Sequence, residues 1–152
     1  MTLNRRFTAS LLALLMAFLG LCLPAHAVRT ALTPVSPAAL LNGAPAADSL
    51  DVSFTAADVA NGNSVVLTGN ELVFVINSHA TTAYTFTVTS VKDELGRTGD
   101  ITTYSLAAGE YALAGPFSTK GWQQTDGKLY LDASNAAIKF LVVKLRGTMQ
   151  YK

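Results

Sequence analysis

The chain has 152 residues, of which 11 are basic, 10 are acidic and half are hydrophobic. A charge so close to neutral, without a basic face or a charged tail, argues against nucleic acid or an anionic membrane as a partner. The single cysteine, Cys22, lies in an N-terminal leader. The sequence therefore predicts no disulfide, thiol nucleophile or thiolate metal site in the body of the protein.

The first 27 residues follow the order of features that is typical of a signal peptide. Arg5 and Arg6 form a basic start, residues 11–23 are apolar, and Ala25 and Ala27 provide the small side chains that signal peptidase accepts. The apolar run is too short to cross a hydrocarbon core, which needs roughly 20 helical residues. We therefore expect cleavage after Ala27, export to the periplasm or the extracellular space, and no membrane attachment afterwards.

Cleavage would leave residues 28–152, which carry 9 basic and 10 acidic side chains and a net charge of 9 − 10 = −1. The first part of this chain, residues 28–49, contains three prolines and many alanines. Proline removes backbone donors and disfavours helix at the preceding residue. We therefore expect an extended arm or linker at 28–49, ordered against a partner.

Beyond the arm, the hydrophobic pattern has a period of two, which predicts β-strands. Short apolar runs are separated by Asn-Gly at 61–62 and Gly-Asn at 69–70, dipeptides that favour tight turns. Residues 72–76 are all apolar, so we expect a strand covered on both faces. Residues 84–89 alternate between threonine and large apolar side chains, as a half-buried strand does.

About eight such strands, with turn residues between them and no convincing helical period, predict an all-β protein. We expect a single antiparallel β-sandwich or jelly-roll-like domain at residues 50–147, followed by a short tail at 148–152.

Residues that could perform catalysis are scarce. His79 follows Ser78, but adjacent side chains on an extended chain point apart, and no third group is identifiable to orient the ring. Glu71, Glu94 and Glu110 could supply the paired carboxylates of a glycosidase, yet no motif places them together. The sequence therefore predicts a protein that is not an enzyme and that uses no cofactor.

The most polar stretch is KDELGRTGD at residues 92–100. Asp93, Glu94 and Asp100 could bind Ca²⁺ or serve a secreted hydrolase, but their spacing is not that of a calcium loop, and Arg97 would place a positive charge beside the ion. We interpret the stretch as a polar loop between strands that contributes to an interface. In it, Asp93 or Asp100 pairs with Arg97 or accepts turn amides.

Two further features have a functional and a structural interpretation. Trp122 could be a stacking platform for a sugar, or a lid on the edge of the core. The threonine row at 85, 87 and 89 could be a flat binding face, or simply the solvent side of a strand. The structural interpretation is favoured for both.

Six segments are distinctive: DELGRTGDIT from Asp93, LAAGE at 106–110, GPF and GWQQTDGKLYLDAS between 115 and 134, IKFLVVKL at 138–145, and RTALTP from Arg29. They resemble segments of a family of small tailed-phage virion proteins, the head decoration or capsid-stabilising proteins. The resemblance implies a β-sandwich that docks on a capsid lattice, an arm that reaches across neighbouring subunits, and a homo-oligomer. It transfers no catalytic residue.

The leader and the resemblance predict different locations, because phage virion proteins assemble in the cytoplasm. Either the gene encodes an exported relative, or translation begins near Val28 and the protein is part of a virion. Our leading hypothesis is a capsid decoration protein that binds a protein surface. The alternative is a secreted β-sandwich module that binds a glycan, a cell surface or a partner protein.

Overall fold

The structure is a computed structural model that describes residues 28–37, 47–48 and 50–145. The predicted signal peptide at 1–27, the remainder of the predicted arm and the predicted tail at 148–152 lie outside the described residues. Within them, no helix is both long and apolar enough to span a membrane.

The described chain forms nine strands and one short helix. They are β1 (Thr30–Ala31), β2 (Thr55–Ala56), β3 (Asn63–Val66), β4 (Glu71–Asn77), β5 (Tyr84–Thr89), β6 (Ile101–Leu106), β7 (Tyr111–Ala114), α1 (Thr119–Trp122), β8 (Lys128–Ala133) and β9 (Ile138–Lys144). The prediction of an all-β protein with about eight strands is confirmed.

The strands form two sheets. The first has the order β1-β3-β8-β5-β6 and the second has the order β2-β9-β4-β7. Every pairing is antiparallel except that of β1 with β3, which is parallel. This arrangement is the β-sandwich that the alternating pattern predicts, because each sheet buries one face against the other.

The core lies between the two sheets and is built from alternate residues of the long strands. In β5, Phe86 and Val88 are buried while the threonines between them are only partly covered, as the sequence predicted. The second sheet contributes its own alternate positions. The buried core residues of the central strands are Leu129 and Leu131 of β8 in the first sheet, and Val73, Val75, Ile138, Phe140 and Val142 of β4 and β9 in the second.

The structure differs from the sequence-based expectation at residues 72–76. Val73 and Val75 are fully buried, but Leu72, Phe74 and Ile76 are only partly buried. The reason is the two-layer architecture. The inner face of β4 meets the first sheet, whereas only neighbouring strands flank the outer face among the described residues.

The turns predicted at 61–62 and 69–70 are confirmed, since Gly62 and Gly69 both have positive φ angles, of 73° and 97°. Gly62 is also required for space. A Cβ atom there would collide with the guanidinium of Arg29 and with the carboxylate of Asp132. The absence of a side chain at Gly62 therefore lets Arg29 reach Asp132, and this contact holds the beginning of the arm.

Residues 28–37 are extended and lie against the chain's own sandwich. Arg29 makes a two-pronged ion pair with Asp132, at 2.8 and 3.1 Å, and its guanidinium lies 4.3 Å from the ring centre of Tyr130. Leu32 is buried in the core, and Val35 pairs with Val143 of β9. This stretch therefore joins the first sheet to the second.

Candidate functional site

The polar loop at 91–100 connects β5 to β6, two neighbouring strands of the first sheet, as its turn residues predicted. Asp93 organises its tip. One carboxylate oxygen accepts the backbone N–H groups of Leu95 and Arg97, each at 2.9 Å, and the other accepts the Nε–H of Arg97 at 2.8 Å. The backbone N–H of Arg97, followed by its side chain, lowers the pKa of Asp93. Asp93 therefore acts as a turn cap.

Asp100 closes the base of the same loop. Its Oδ1 accepts both the backbone N–H and the hydroxyl of Ser90, at 2.6 and 2.7 Å. The Ser90 hydroxyl oxygen in turn accepts the N–H of Gly99 at 2.8 Å. The hydrogen bond from the Ser90 hydroxyl is the main reason that the pKa of Asp100 is lowered. This carboxylate is thus already bonded within the loop.

Glu94 and Leu95 form the outermost part of the loop. The Glu94 carboxylate is exposed and has no hydrogen-bond or ion-pair partner among the described residues. Leu95 is 76% exposed, which is high for an apolar side chain. The loop tip therefore presents one apolar side chain beside one free carboxylate.

A cleft of about 600 Å³ lies between this loop and the segment that carries α1. Its walls include Lys92, Glu94 and Arg97 on one side and Lys120 on the other. The N–H of Val91 donates to the carbonyl of Gly121 at 2.8 Å and ties the two walls together. The cleft has both signs of charge, so it does not select strongly for an anion or a cation.

Trp122 lies at the other end of α1 and packs edge-on against the buried Phe117, with ring centres 4.8 Å apart. It is partly buried against the core, as the interpretation as a lid predicted. It also shares a shallower depression of about 410 Å³ with Asp93 and Arg97. Asp93, Arg97 and Trp122 are thus brought together, while Glu94 points to the larger cleft and Asp100 lies at the loop base.

The other candidate residues lie apart from this cleft. The Nδ1 of His79 accepts the N–H groups of Thr81 and Thr82, at 3.2 and 2.9 Å, and the Ser78 hydroxyl donates to the carbonyl of Ala137. Both side chains therefore stabilise the turn after β4, as expected for a turn histidine. Glu110 accepts the N–H of Ala107 in the loop before β7.

Glu71 is fully buried and accepts hydrogen bonds from the hydroxyl and the N–H of Thr68 and from the N–H groups of Gly69 and Asn70. Burial opposes ionisation and is the largest single influence on its pKa, but the four donors together outweigh it and lower the pKa. The hydrophobic pattern did not predict this role. The sequence feature that could have indicated it is Thr-Gly-Asn-Glu at residues 68–71, where an acidic residue directly follows a tight turn.

Within the described ranges, no group of three or more His, Cys, Asp or Glu side chains could hold a metal ion. Asp93 and Asp100 already accept hydrogen bonds from the loop itself. The cleft therefore offers an apolar tip, the free carboxylate of Glu94, two amino groups and a guanidinium to whatever contacts it.

Strand β7 carries exposed apolar residues that the sequence pattern did not predict. Tyr111 is 68% exposed and Leu113 is 57% exposed, although both lie in a regular strand. The sequence feature that could have indicated them is the pattern Tyr-Ala-Leu-Ala, in which large apolar residues alternate with alanine and no position is charged.

Comparison with known proteins gives no relative for this fold or this site: no protein-family model, no curated protein and no solved structure matches the chain. The resemblance to phage virion proteins therefore stays a prediction.

Proposed function

We propose that this chain is a non-enzymatic structural protein of the phage head decoration type, which binds a repeated protein surface through its β-sandwich and its N-terminal arm. The observation that carries the proposal is that the carboxylates of the candidate site form hydrogen bonds within their own loop. Asp93 and Asp100 are occupied in shaping the loop, and the loop displays Leu95 to solvent.

The electrostatics support adhesion to protein. Several surface charges are neutralised by an opposite charge nearby, as in the ion pairs of Arg97 with Asp93 and of Lys128 with Asp126. Such pairs leave little net field to attract a highly charged polymer. Adjacent exposed apolar side chains, such as Tyr111 and Leu113 on one face of β7, are instead typical of surfaces that bind other proteins.

The arm supports the same function in a second way. Residues 28–37 cross from one sheet to the other, and Arg29 fixes their beginning. A segment that is already ordered on the sandwich loses less entropy when it contacts a neighbouring surface.

The experiment is a density gradient of purified tailed-phage heads from the encoding organism, mixed with the chain. We expect the chain to migrate with the heads and to saturate at a fixed number per head. Leu95→Asp should weaken this binding at least about tenfold if the loop tip enters the interface, because a charge would replace a buried apolar side chain. Thr102→Asp on the exposed face of β6 serves as the matched control.

Migration of the chain at the top of the gradient at all concentrations would contradict the proposal. The location follows from the same proposal: a virion if translation starts near Val28, and the periplasm or the extracellular space if the leader is translated and cleaved.

A secreted binding module is the second candidate, and the depression beside Trp122 is the observation that favours it. Glycan-array binding that is lost in Trp122→Ala, and restored in Trp122→Phe, would support a stacking platform. Equal array profiles for the wild type and both variants, with a lower melting temperature for Trp122→Ala alone, would show that the ring is only a lid on the core.

A further inference from the structure

The two sheets end in four edge strands, and three of them are poor templates for another strand. Strands β1 and β2 have two residues each. Strand β6 is irregular, because Thr103 has a φ angle of 46° and the register with β5 shifts beside it. Short strands and irregular strands are the usual means of preventing edge-to-edge association.

Strand β7 lacks these protections. It is a regular four-residue strand that pairs with β4 without a register shift. It contains no charged residue and no proline. The nearest charged residue in the sequence is Glu110, and its carboxylate accepts the N–H of Ala107 at 2.7 Å. Within the described chain, no strand lies on the other side of β7.

The hydrogen-bond pattern shows which backbone groups of β7 are unpaired. The N–H of Asn77 donates to the carbonyl of Glu110, so in an antiparallel ladder the next residues bonded to β4 are Ala112 and Ala114. The N–H and C=O groups of Tyr111 and Leu113 therefore point away from β4. Two donors and two acceptors are aligned along the free edge.

The side chains of β7 suit close pairing. Tyr111 and Leu113 lie on the outer face beside Ile76 and Phe74, and both are largely exposed. Ala112 lies between them on the inner face and is partly buried. An alanine at this position lets a second strand approach closely.

We propose that β7 pairs antiparallel with β7 of a second copy of this chain, about a two-fold axis between the two Ala112 residues. Tyr111 of each copy then lies opposite Leu113 of the other, and their backbone groups form four N–H···O bonds. The strand is self-complementary in this register. Aromatic and aliphatic side chains face each other on the outer side, a favourable cross-strand pair, and no like charges meet.

The result is one continuous eight-stranded sheet across the two copies. The inference goes beyond the proposed function, because it holds whichever surface the sandwich binds. So short a contact buries well under about 1,200 Å², the range of weak and reversible association. The dimer therefore forms at high local concentration, as on a repeated surface.

Cysteine crosslinking tests the register. In full-length chain carrying Cys22→Ser, a cysteine introduced by Ala112→Cys is the sole thiol. The two Cα atoms at position 112 would be about 4.5 Å apart, as in other non-hydrogen-bonded pairs, and this distance permits a disulfide. Ala114→Cys is the matched control, because its two copies would be roughly 14 Å apart. In a glutathione buffer, we expect the variant at 112 to form covalent dimer at least about tenfold faster than the variant at 114.

A third variant tests the role of the backbone. Leu113→Pro removes an outward N–H and leaves the bonds to β4 intact, a substitution that edge strands tolerate. Combined with Ala112→Cys, it should abolish the fast crosslinking while the circular dichroism spectrum stays unchanged. Equal crosslinking rates at 112 and 114, or fast crosslinking that survives Leu113→Pro, would overturn the proposal. So would a sedimentation coefficient of a monomer at about millimolar concentration, because a weak dimer is populated there.

Discussion

Individual carboxylate side chains stabilise the loops of this protein. Glu71, Asp93 and Asp100 each accept several hydrogen bonds from one turn, and each has a lowered pKa as a result. Such a group stabilises the fold only while it is ionised. It is therefore a structural residue with a dependence on pH.

Glu71→Gln should lower the free energy of unfolding at neutral pH by about 1–3 kcal/mol, because a neutral amide cannot accept all four hydrogen bonds in the buried site. The folded pKa of Glu71 lies below its unfolded value, so the contribution of the carboxylate is complete above that value. It is lost as the pH falls through the folded pKa. Urea unfolding from neutral to acidic pH should therefore show a flatter profile for Glu71→Gln than for the wild type.

Glu94→Gln is the control, because Glu94 is exposed and has no partner among the described residues. Its pH profile should follow that of the wild type. Equal stability of Glu71→Gln and the wild type at neutral pH would show that the buried hydrogen bonds contribute nothing to folding.

Among the secondary-structure elements, β1 depends for its order on a single side chain, the guanidinium of Arg29. Strand β1 has only two residues, but Arg29 adds an ion pair with Asp132 and donates to two backbone carbonyls. Both partners are partly exposed, so water screens part of the attraction. The effect of Arg29 is therefore local order and only a small part of global stability.

Arg29→Lys should open this segment, because an ammonium group cannot form the two-pronged pair or stack on Tyr130 in the same way. We expect the N–H groups of Thr30 and Leu32 to exchange with deuterium at least about tenfold faster, as local opening becomes easier. Arg97→Lys, which alters a more exposed pair with Asp93, is the control and should leave both amides unchanged. Unchanged exchange in Arg29→Lys would show that Leu32 and the backbone pairings hold the segment without the guanidinium.

Elements with strict alternation were the most predictable from sequence. Phe86 and Val88 in β5 reached the core as expected, and the turn glycines at 62 and 69 have the expected backbone conformation. The outer face of β4 was less predictable. An apolar run fits a strand covered on both faces, and only the number of layers decides whether its second face is covered.

The sequence predicted the polar loop of the candidate site, but not which distant residues contact it. The composition of residues 92–100 predicted a polar loop, and the pairing of Asp93 with Arg97 is confirmed. The approach of Trp122 to the same loop was not predictable, because it depends on contacts between segments that are distant in sequence. The free edge of β7 likewise follows from the sheet order, which local patterns do not determine.

The whole molecule presents loops and an edge strand for contact. Apolar side chains are exposed at the 91–100 loop and at β7, and the beginning of the arm is anchored on the sandwich. These surfaces differ in the chemistry they use: a loop tip, a row of backbone groups and an extended segment. Contact with more than one neighbour through these surfaces is what the proposed capsid function requires.

The most direct measurement is an electron cryo-microscopy map of purified phage heads from the encoding organism, incubated with the chain. The account predicts two-layer density of the size of this sandwich at every equivalent position of the lattice. A bare lattice, with all of the chain left in solution, would contradict it.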